Sequence, residues 1–318
     1  MAGLKVSFAM ICYEQEEYIR EAVRSALAQD YQPLEIILSD DCSLDSTFDI
    51  IEEEASQYSG SHTIITNRNE SNLGIEHIDK VMELARGDFV VIAHGDDRSS
   101  PHRTQRLVDA WLRGNFSLVS SNAMIIDETG SLIGPLCKVG ENRPVTRTEI
   151  IRIPWQSTRL GATFAFDREI FSRFQPIDRR IVSCADDHIL PFRAALLNGM
   201  YFLAEPLVEW RRHRRNWGDR ISNKVSSKLV LNETNAAYDI GAMIHMLEEL
   251  GRFTEENGAS PSMINVNREL VTAIVKHTQY WTRLRNTLVQ NDQRPTWVPK
   301  QELDEIPIVD EFRVQPNS

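Results

Sequence analysis

Two hydrophobic periods alternate four times in the first third of the chain, and that alternation restricts the fold more than any other feature. Lys5 to Cys12 is a continuous apolar run, after which Ile19, Val23, Ala26 and Leu27 recur at helical spacing behind the acids Glu14, Glu16 and Glu17. Leu34 to Ser39 is a second buried-strand run. Ser43 or Asp45 follows as a helix cap, then Phe48, Ile51, Ala55 and Tyr58 on one face. His62 to Thr66 predicts a third strand, Ile75 to Ala85 a helix, Asp88 to Ala93 a fourth strand, and Pro101 to Arg113 a helix opening with proline. Parallel strands need crossover helices, and sheets covered on both faces carry continuous apolar strands, so the pattern predicts an α/β fold.

After Phe116 the rhythm changes. Phe116 to Asp127 and Ser131 to Ile133 flank Glu-Thr-Gly as a strand and hairpin, and Gly161 to Phe166 predicts a short strand before a helix at Arg168 to Phe174. The sheet should therefore be mixed. Asp186 to Asn198 predicts a helix stopped by Gly199, with Tyr201 to Ala204 and Leu207 to Arg211 as extended pieces around Pro206. From Ser222 on, two helical stripes appear: Ala236, Ile240, Met243, Leu247 and Leu250, then Leu270, Ile274, His277, Trp281, Leu284 and Leu288, separated by a turn at Gly258 to Pro261. The expected domains are residues 1–220 and a C-terminal helical extension, 221–318. The stripes leave open whether the extension forms a homodimer or touches a membrane.

Charge and cysteines narrow the function classes. Thirty-five Lys+Arg against 46 Asp+Glu give a net charge of −11 in 318 residues, a field that repels nucleic acid and anionic lipid. An anionic sugar-phosphate substrate would need local positive charge or a metal. Cys12, Cys42, Cys137 and Cys184 form no C-x-x-C pair and are read as reduced thiols. No apolar stretch reaches the ~18–20 residues that span a bilayer, and the first strand is too short for a signal segment, so a cytoplasmic location is expected.

Ligands of open parallel sheets bind outside the carboxyl ends of the strands. The first such loop, Tyr13-Glu14-Gln15-Glu16-Glu17, has no glycine and three acids, which disfavours a diphosphate resting on that helix as in dinucleotide sites or P-loops. The second runs Ser39-Asp40-Asp41-Cys42-Ser43-Leu44-Asp45-Ser46-Thr47, where helix capping alone could account for the acids. The fourth, Ala93-His94-Gly95-Asp96-Asp97, places adjacent acids on another strand end, where carboxylates could hold Mg²⁺ or Mn²⁺ while phosphates complete the shell. Two acidic strand ends exceed what capping requires.

Six blocks then stand in a telling order: Val6-Ser7-Phe8 through Tyr13; Gln29-Asp30-Tyr31; Leu34 through Thr47; Asn72-Leu73-Gly74; Ala85-Arg86-Gly87-Asp88; and Gly95-Asp96-Asp97 with Pro101. Together they resemble the family 2 glycosyltransferases of the GT-A fold. The resemblance implies a Rossmann-like, mixed but mostly parallel sheet flanked by helices, with the C-terminal helices as an appendage. It implies that Tyr13 lines the base pocket, Asp41 recognises the nucleotide base, Asp96 meets the ribose or the metal, and Asp97 coordinates the metal. In the second half, Gly161 to Phe166 with Arg168 looks like the family's acceptor-side strand. Asp186-Asp187, opening the helix that reaches Arg193, looks like its acidic base motif, with Asp187 as the base and Asp186 and Arg193 beside or behind the acceptor. The residues alone leave helix capping open for that pair.

Trp210-Arg211-Arg212-His213-Arg214-Arg215 is the one basic cluster, either a solvated charge run or a diphosphate clamp. The family often carries an aromatic-Arg-x-His segment here, which implies Arg211 and His213 as phosphate or metal-shell groups. His77, His102, His245 and His277 lack ligand spacing and are assigned to packing or surface roles. The expected function is thus a metal-dependent, inverting transferase that moves one sugar from a nucleotide-diphosphate sugar, most simply a UDP-sugar, to a glycan or lipid-linked acceptor. Action at the cytoplasmic membrane face is implied by the resemblance only. Single-sugar addition is expected because the chain has neither membrane-spanning helices nor a Q-x-x-R-W motif. The chain departs from the family where it has Ile11-Cys12-Tyr13-Glu14 for a common Pro-Thr-Tyr-Asn, Cys42 for a frequent glycine and His94 for the first acid of D-x-D-D. Those departures keep a non-catalytic protein on a degenerate transferase fold, either nucleotide-sugar-binding or a scaffold, as the alternative.

Overall fold

The structure is a computed structural model that describes residues 4–138, 140–152, 160–177, 186–213, 216, 228–258, 264, 266–269, 271, 272, 275 and 279. The described residues fall into two compact units, one within Met1–Thr146 and Ser157–His213 and one within Arg147–Gln156 and Arg214–Ser318.

In the first unit the four-fold alternation becomes β1 (Val6–Cys12), α1 (Ile19–Leu27), β2 (Leu34–Asp40), α2 (Thr47–Ser56), β3 (Thr63–Arg68), α3 (His77–Leu84), β4 (Phe89–His94), β5 (Arg98–Ser99) and α4 (Arg103–Gly114). It continues through β6 (Leu118–Ile126), β7 (Leu132–Pro135), β8 (Arg143–Val145), β9 (Ala165–Asp167), α6 (Glu169–Ser172), α7 (Asp186–Leu196) and β10 (Met200–Arg211). The intervening α5 (Arg147–Arg152) belongs to the second unit. The ten strands make one sheet in the order β3-β2-β1-β4-β9-β6-β10-β5, with β7 on β6 and β8 on β10. β1, β2, β3 and β4 pair in parallel, as do β6 and β10, while β5, β7, β8 and β9 join antiparallel.

The core explains why the first half reads so clearly. Phe8, Met10, Ile36, Leu38, Phe89 and Val91 are buried from the central strands, and Ile19, Ala22, Val23 and Ala26 of α1 close over them. Each large apolar side chain so buried contributes ~1.5–3 kcal/mol. The second half differs in detail from the sequence expectation. Gly161–Thr163 is a 3-10 turn, and only Ala165–Asp167 pairs as a strand. The two extended pieces around Pro206 are one strand, β10, whose register against β6 shifts on either side of Pro206, because proline lacks the N–H that a regular ladder needs.

The second unit contains α8 (Lys228–Asn257). Ala242, Met243, Met246, Leu250 and Phe253 are buried along it, and His245 Nε2 meets Glu249 Oε1 at 3.0 Å. Met243 and Leu250 follow the expected stripe; Leu247 is only half-buried. Residues of the second stripe, Leu270 to Leu288, lie outside the described residues, as do Cys184, Arg214 and Arg215. Among the described residues no helix is long and apolar enough to cross a membrane.

Candidate active site

The carboxyl ends of β1, β2 and β4 bring the three sequence-selected loops to one end of the first unit's sheet. The loop after β1 is laced to the loop after β2. The amides of Glu14, Gln15 and Glu16 donate to Ser43 Oγ (2.8 Å), Thr47 Oγ1 (2.8 Å) and Asp45 Oδ2 (3.2 Å), and Ser46 N donates to Glu16 Oε2 at 3.0 Å. Three amides of this glycine-free loop are thus already bonded and do not offer a cradle for a diphosphate. Each loop turns through the left-handed region, at Glu14 (φ 49°) and Cys42 (φ 63°), which accounts for the family's glycine at the second position.

The paired acids of β2 part ways. Asp40 takes the Ser43 amide at 2.9 Å and the Ser43 hydroxyl, and burial raises its carboxyl above the ordinary range. Asp41, also buried, accepts from Asn69 Nδ2 (2.8 Å), Leu73 N (2.9 Å) and Gly74 N (2.9 Å). Asp41 therefore faces the loop that follows β3. Gly74, at φ +60°, supplies one of those donors in a conformation that favours glycine. Tyr13 sits half-buried at the head of the first loop, its amide on Gln15 Oε1 at 3.2 Å.

At the end of β4, one ligand atom each from His94, Asp96 and Asp97 lies within 4.8 Å of the others. Gly95 lets this turn pack closely against α1 and the end of β1. A Cβ there would fall 2.5 Å from Gln15 Oε1, 2.8 Å from Ile19 Cδ1 and 2.9 Å from Cys12 Sγ. Asp97 is buried. Its Oδ1 accepts the Arg211 amide at 2.8 Å, and its Oδ2 is a buried oxygen with no hydrogen-bond partner among the described residues. Burial, then the neighbouring Asp96 charge, pushes the Asp97 carboxyl well up. Burial also pushes on Asp96, but the His213 hydrogen bond and the His94 and His213 imidazoles outweigh it and hold that carboxyl low.

Arg211 and His213 of the basic cluster lie against these acids, and Arg211 corrects one expectation. Arg211 is 2% exposed, and its guanidinium is spent within the protein. Its Nε donates to Asp96 O (3.0 Å), one terminal nitrogen to the carbonyls of Asp127 and Glu128 (3.4 and 3.3 Å), and the other to Glu21 Oε2 (2.7 Å). It also lies 4.8 Å from the Tyr18 ring centroid. Arg211 braces the acid pair and is not free to clamp a diphosphate. His213 places Nε2 3.0 Å from Asp96 Oδ2 and its ring 4.6 Å from Tyr18, so this imidazole too is turned to the acids. Arg193 is fully buried: it donates to Ile170 O (3.3 Å) and Gln175 O (2.7 Å) and lies over Phe171 and Phe174, which anchors α7. Asp186 and Asp187 occupy the first turn of α7; Asp187 is half-buried, and the Asp186 side chain lies outside the described ones.

Sequence reasoning missed Tyr18, Glu21, Arg98 and Arg103. Arg98 pairs with Glu209 (2.5 Å) and Glu21 (3.5 Å), extending the brace around Arg211. Arg103, fully buried, donates to Ser99 Oγ, Ile92 O and Ala162 O, with the Phe8 ring 5.8 Å away. An arginine on the expected inner face of a helix was the one available signal.

Comparison with known proteins decides the family. The profile described as glycosyl transferase family 2 matches residues 7–174, more than half of the chain. The chain belongs to glycosyl transferase family 2. EpsE of Bacillus subtilis (strain 168), which carries a glycosyltransferase name, is 33% identical over 131 residues, 41% of this chain and 46% of EpsE, so the match spans less than half of that relative. Among solved structures, S. aureus TarS in complex with UDP-GlcNAc has a TM-score of 0.57 at 16% identity, covering 86% of this family member and 82% of TarS. The mannosyltransferase PcManGT of Pyrobaculum calidifontis, in complex with GDP-Man and Mn²⁺, has a TM-score of 0.55 at 15% identity over 94% and 78% of the two chains. At those identities the likeness is one of fold, and the fold is the GT-A arrangement expected from the sequence.

Proposed function

We propose that this family 2 member is an inverting, metal-dependent glycosyltransferase that moves a single sugar from a UDP-sugar to a hydroxyl of a glycan or lipid-linked acceptor. The observation that carries the proposal is the convergence of His94, Asp96 and Asp97 beside the nucleotide-side loops, with one buried carboxylate oxygen lacking a partner among the described residues. One imidazole and two carboxylates suit a divalent cation such as Mn²⁺ or Mg²⁺. Bound there, the cation would neutralise charge on the departing nucleoside diphosphate. Names of the neighbours support the donor class, since TarS holds UDP-GlcNAc and PcManGT holds GDP-Man with Mn²⁺.

The residues then divide the work. Tyr13 and Asp41 hold the base, and Asp96, kept ionised by His213, orients the ribose side of the donor. Asp187 takes the proton from the acceptor hydroxyl as the new bond to the anomeric carbon forms. The bond from that carbon to the phosphate oxygen breaks on the opposite face, which inverts the centre, and the diphosphate leaves with the electron pair. Asp186 stands beside this step. In this reading residues 1–220 are the catalytic domain and 221–318 a C-terminal extension, and the acidic chain acts without nucleic acid. Peripheral attachment to a membrane and a homodimer are parts of the reading that the lipid-linked acceptor and the helical extension motivate.

The test is thermal unfolding with UDP, with and without Mn²⁺. A ligand at 100 times its Kd stabilises the folded state by about 2.7 kcal/mol, so wild type should melt several degrees higher only when both are present. Asp97→Asn keeps the oxygen that accepts the Arg211 amide and removes the charge, and it should lose that shift. No shift in wild type with any nucleoside diphosphate would favour the non-catalytic scaffold.

A further inference from the structure

β4, the strand that ends in the acid cluster, lacks half of a rung just before it reaches those acids. It pairs with β9 through Phe89–Asp167, Val90–Phe166 and Val91–Ala165, which puts Phe164 opposite Ile92. Opposed residues at a hydrogen-bonded position of an antiparallel pair exchange two bonds. Here Ile92 N donates to Phe164 O at 2.9 Å, but Phe164 N turns back to Gly161 O, also at 2.9 Å, and closes the 3-10 turn Gly161–Thr163. The Ile92 carbonyl is thereby deprived of its strand donor in a buried place.

Arg103 fills the gap. One terminal nitrogen donates to both Ile92 O (2.6 Å) and Ala162 O (2.7 Å), and the other donates to Ser99 Oγ (2.9 Å). Ile92 stands two residues before His94, and Ser99 two residues after Asp97. The guanidinium therefore holds both stems of the turn that carries His94, Asp96 and Asp97, and ties the entering stem to the Gly161–Thr163 turn. The Arg103 amide also donates to Ser100 O at 3.0 Å, which seats the start of α4 against the exit stem. A cation site needs such support, because its acids repel one another until the ion arrives and the ion binds best to ligands already in place.

Charge alone makes Arg103 a poor neighbour for such a site. Burial lowers its pKa to about 9, so it remains a cation at neutral pH, and its charge is felt at Asp97. A fixed positive group near Asp97 opposes a second cation. Geometry and charge thus predict opposite consequences of removing the guanidinium.

We propose that Arg103 is a positioning residue that holds the His94–Asp97 turn by both stems and so preorganises it for a divalent cation. This rests on the reading that His94, Asp96 and Asp97 hold that cation, and adds a residue that acts on them through the backbone without ligating the ion.

Titration of the full chain with Mn²⁺, followed by electron paramagnetic resonance, tests it, since the sharp signal of the hydrated ion is lost on binding. Wild type should bind Mn²⁺, and Asp97→Asn should abolish that binding, which identifies the site. Arg103→Lys keeps the charge but offers one nitrogen where arginine uses two; Arg103→Gln removes the charge and is too short to join the stems. Both should raise the Kd for Mn²⁺ by about tenfold or more, as loss of the contacts that support metal ligands does. Circular dichroism and thermal melting give the folded fraction to which each Kd is referred. Ser99→Ala removes only the bond to the exit stem, should weaken Mn²⁺ in the same direction, and serves if neither Arg103 variant folds. Tighter binding by Arg103→Gln with Arg103→Lys unchanged overturns the proposal in favour of a purely electrostatic role. A lowered melting temperature with a wild-type Kd in the folded fraction overturns it too, since a merely structural arginine would act so. If wild type binds no Mn²⁺, the cation reading of the acids falls and the proposal with it, an outcome distinct from a working site that is indifferent to Arg103.

Discussion

Single side chains in this molecule divide into those that could touch a ligand and those that hold them. Asp97 is the clearest of the first kind, because a buried carboxylate oxygen without a partner among the described residues is costly unless a ligand completes it. Arg211 is the clearest of the second. Its residue type and its place in a basic cluster suggested a phosphate clamp, and nothing in a one-dimensional pattern shows that three segments distant in sequence, at Glu21, Asp96 and Asp127, consume its donors. The acids were legible for the opposite reason: adjacent carboxylates at the ends of apolar strands are rare enough to stand out locally. Asp187→Asn should lower turnover by about 100-fold or more while leaving the Kd for UDP within about twofold, as loss of a general base requires. Turnover near the wild-type rate would remove Asp187 from the reaction.

Among elements, α3 carries two opposed titrations. His77 is held neutral with its pKa lowered to about 4, so the unfolded chain binds its proton first, and stability is lost as pH falls from about 6.5 towards 4. Asp79, two residues on, is raised to about 6, chiefly by burial, with Glu76 and Glu83 adding and the Ile177 amide and Arg193 opposing. Here the folded state binds the proton first. The ionised form destabilises above about pH 6, and the penalty disappears as pH falls to about 4. Asp79→Asn keeps an oxygen for the Ile177 amide, 3.2 Å away in wild type, and removes the charge. It should be more stable than wild type by on the order of 2 kcal/mol at pH 8 and no more stable near pH 4, as urea unfolding at both values would measure. A constant difference across that range would place the effect elsewhere. The elements also show what the sequence could convey. β1, β2, β3 and β4 and their helices lie within a few residues of expectation: β1, β2 and β4 are buried and so apolar almost throughout, while the more exposed edge strand β3 is marked by its β-branched run Thr63-Ile64-Ile65-Thr66. β5 and β8 went unread: with two and three residues they carry no period, and only β10 gives them a ladder.

At the scale of the whole molecule, charge governs the approach of a ligand. A net charge of −11 opposes any anionic ligand at distances beyond contact, and added salt shortens the reach of that field to about 8 Å at 0.15 M. With divalent cations chelated, raising NaCl from about 20 to 300 mM should therefore increase UDP affinity by about two- to fivefold, and Mn²⁺ should flatten the dependence. A fall in affinity with salt would mean that local arginines govern the encounter. The brace behind the acids has a further consequence, one of timing. Asp97 waits for the amide of Arg211, 114 residues later, and Asp96 for the imidazole of His213, 117 residues later. A chain made from its amino end can pair β1, β2 and β4 early, since those contacts close shorter loops, yet its acid cluster takes its final geometry only after β10 has docked. During synthesis, the part of the site that would grip a cation is the last to mature, so a truncated product would leave those acids charged, unbraced and poorly formed.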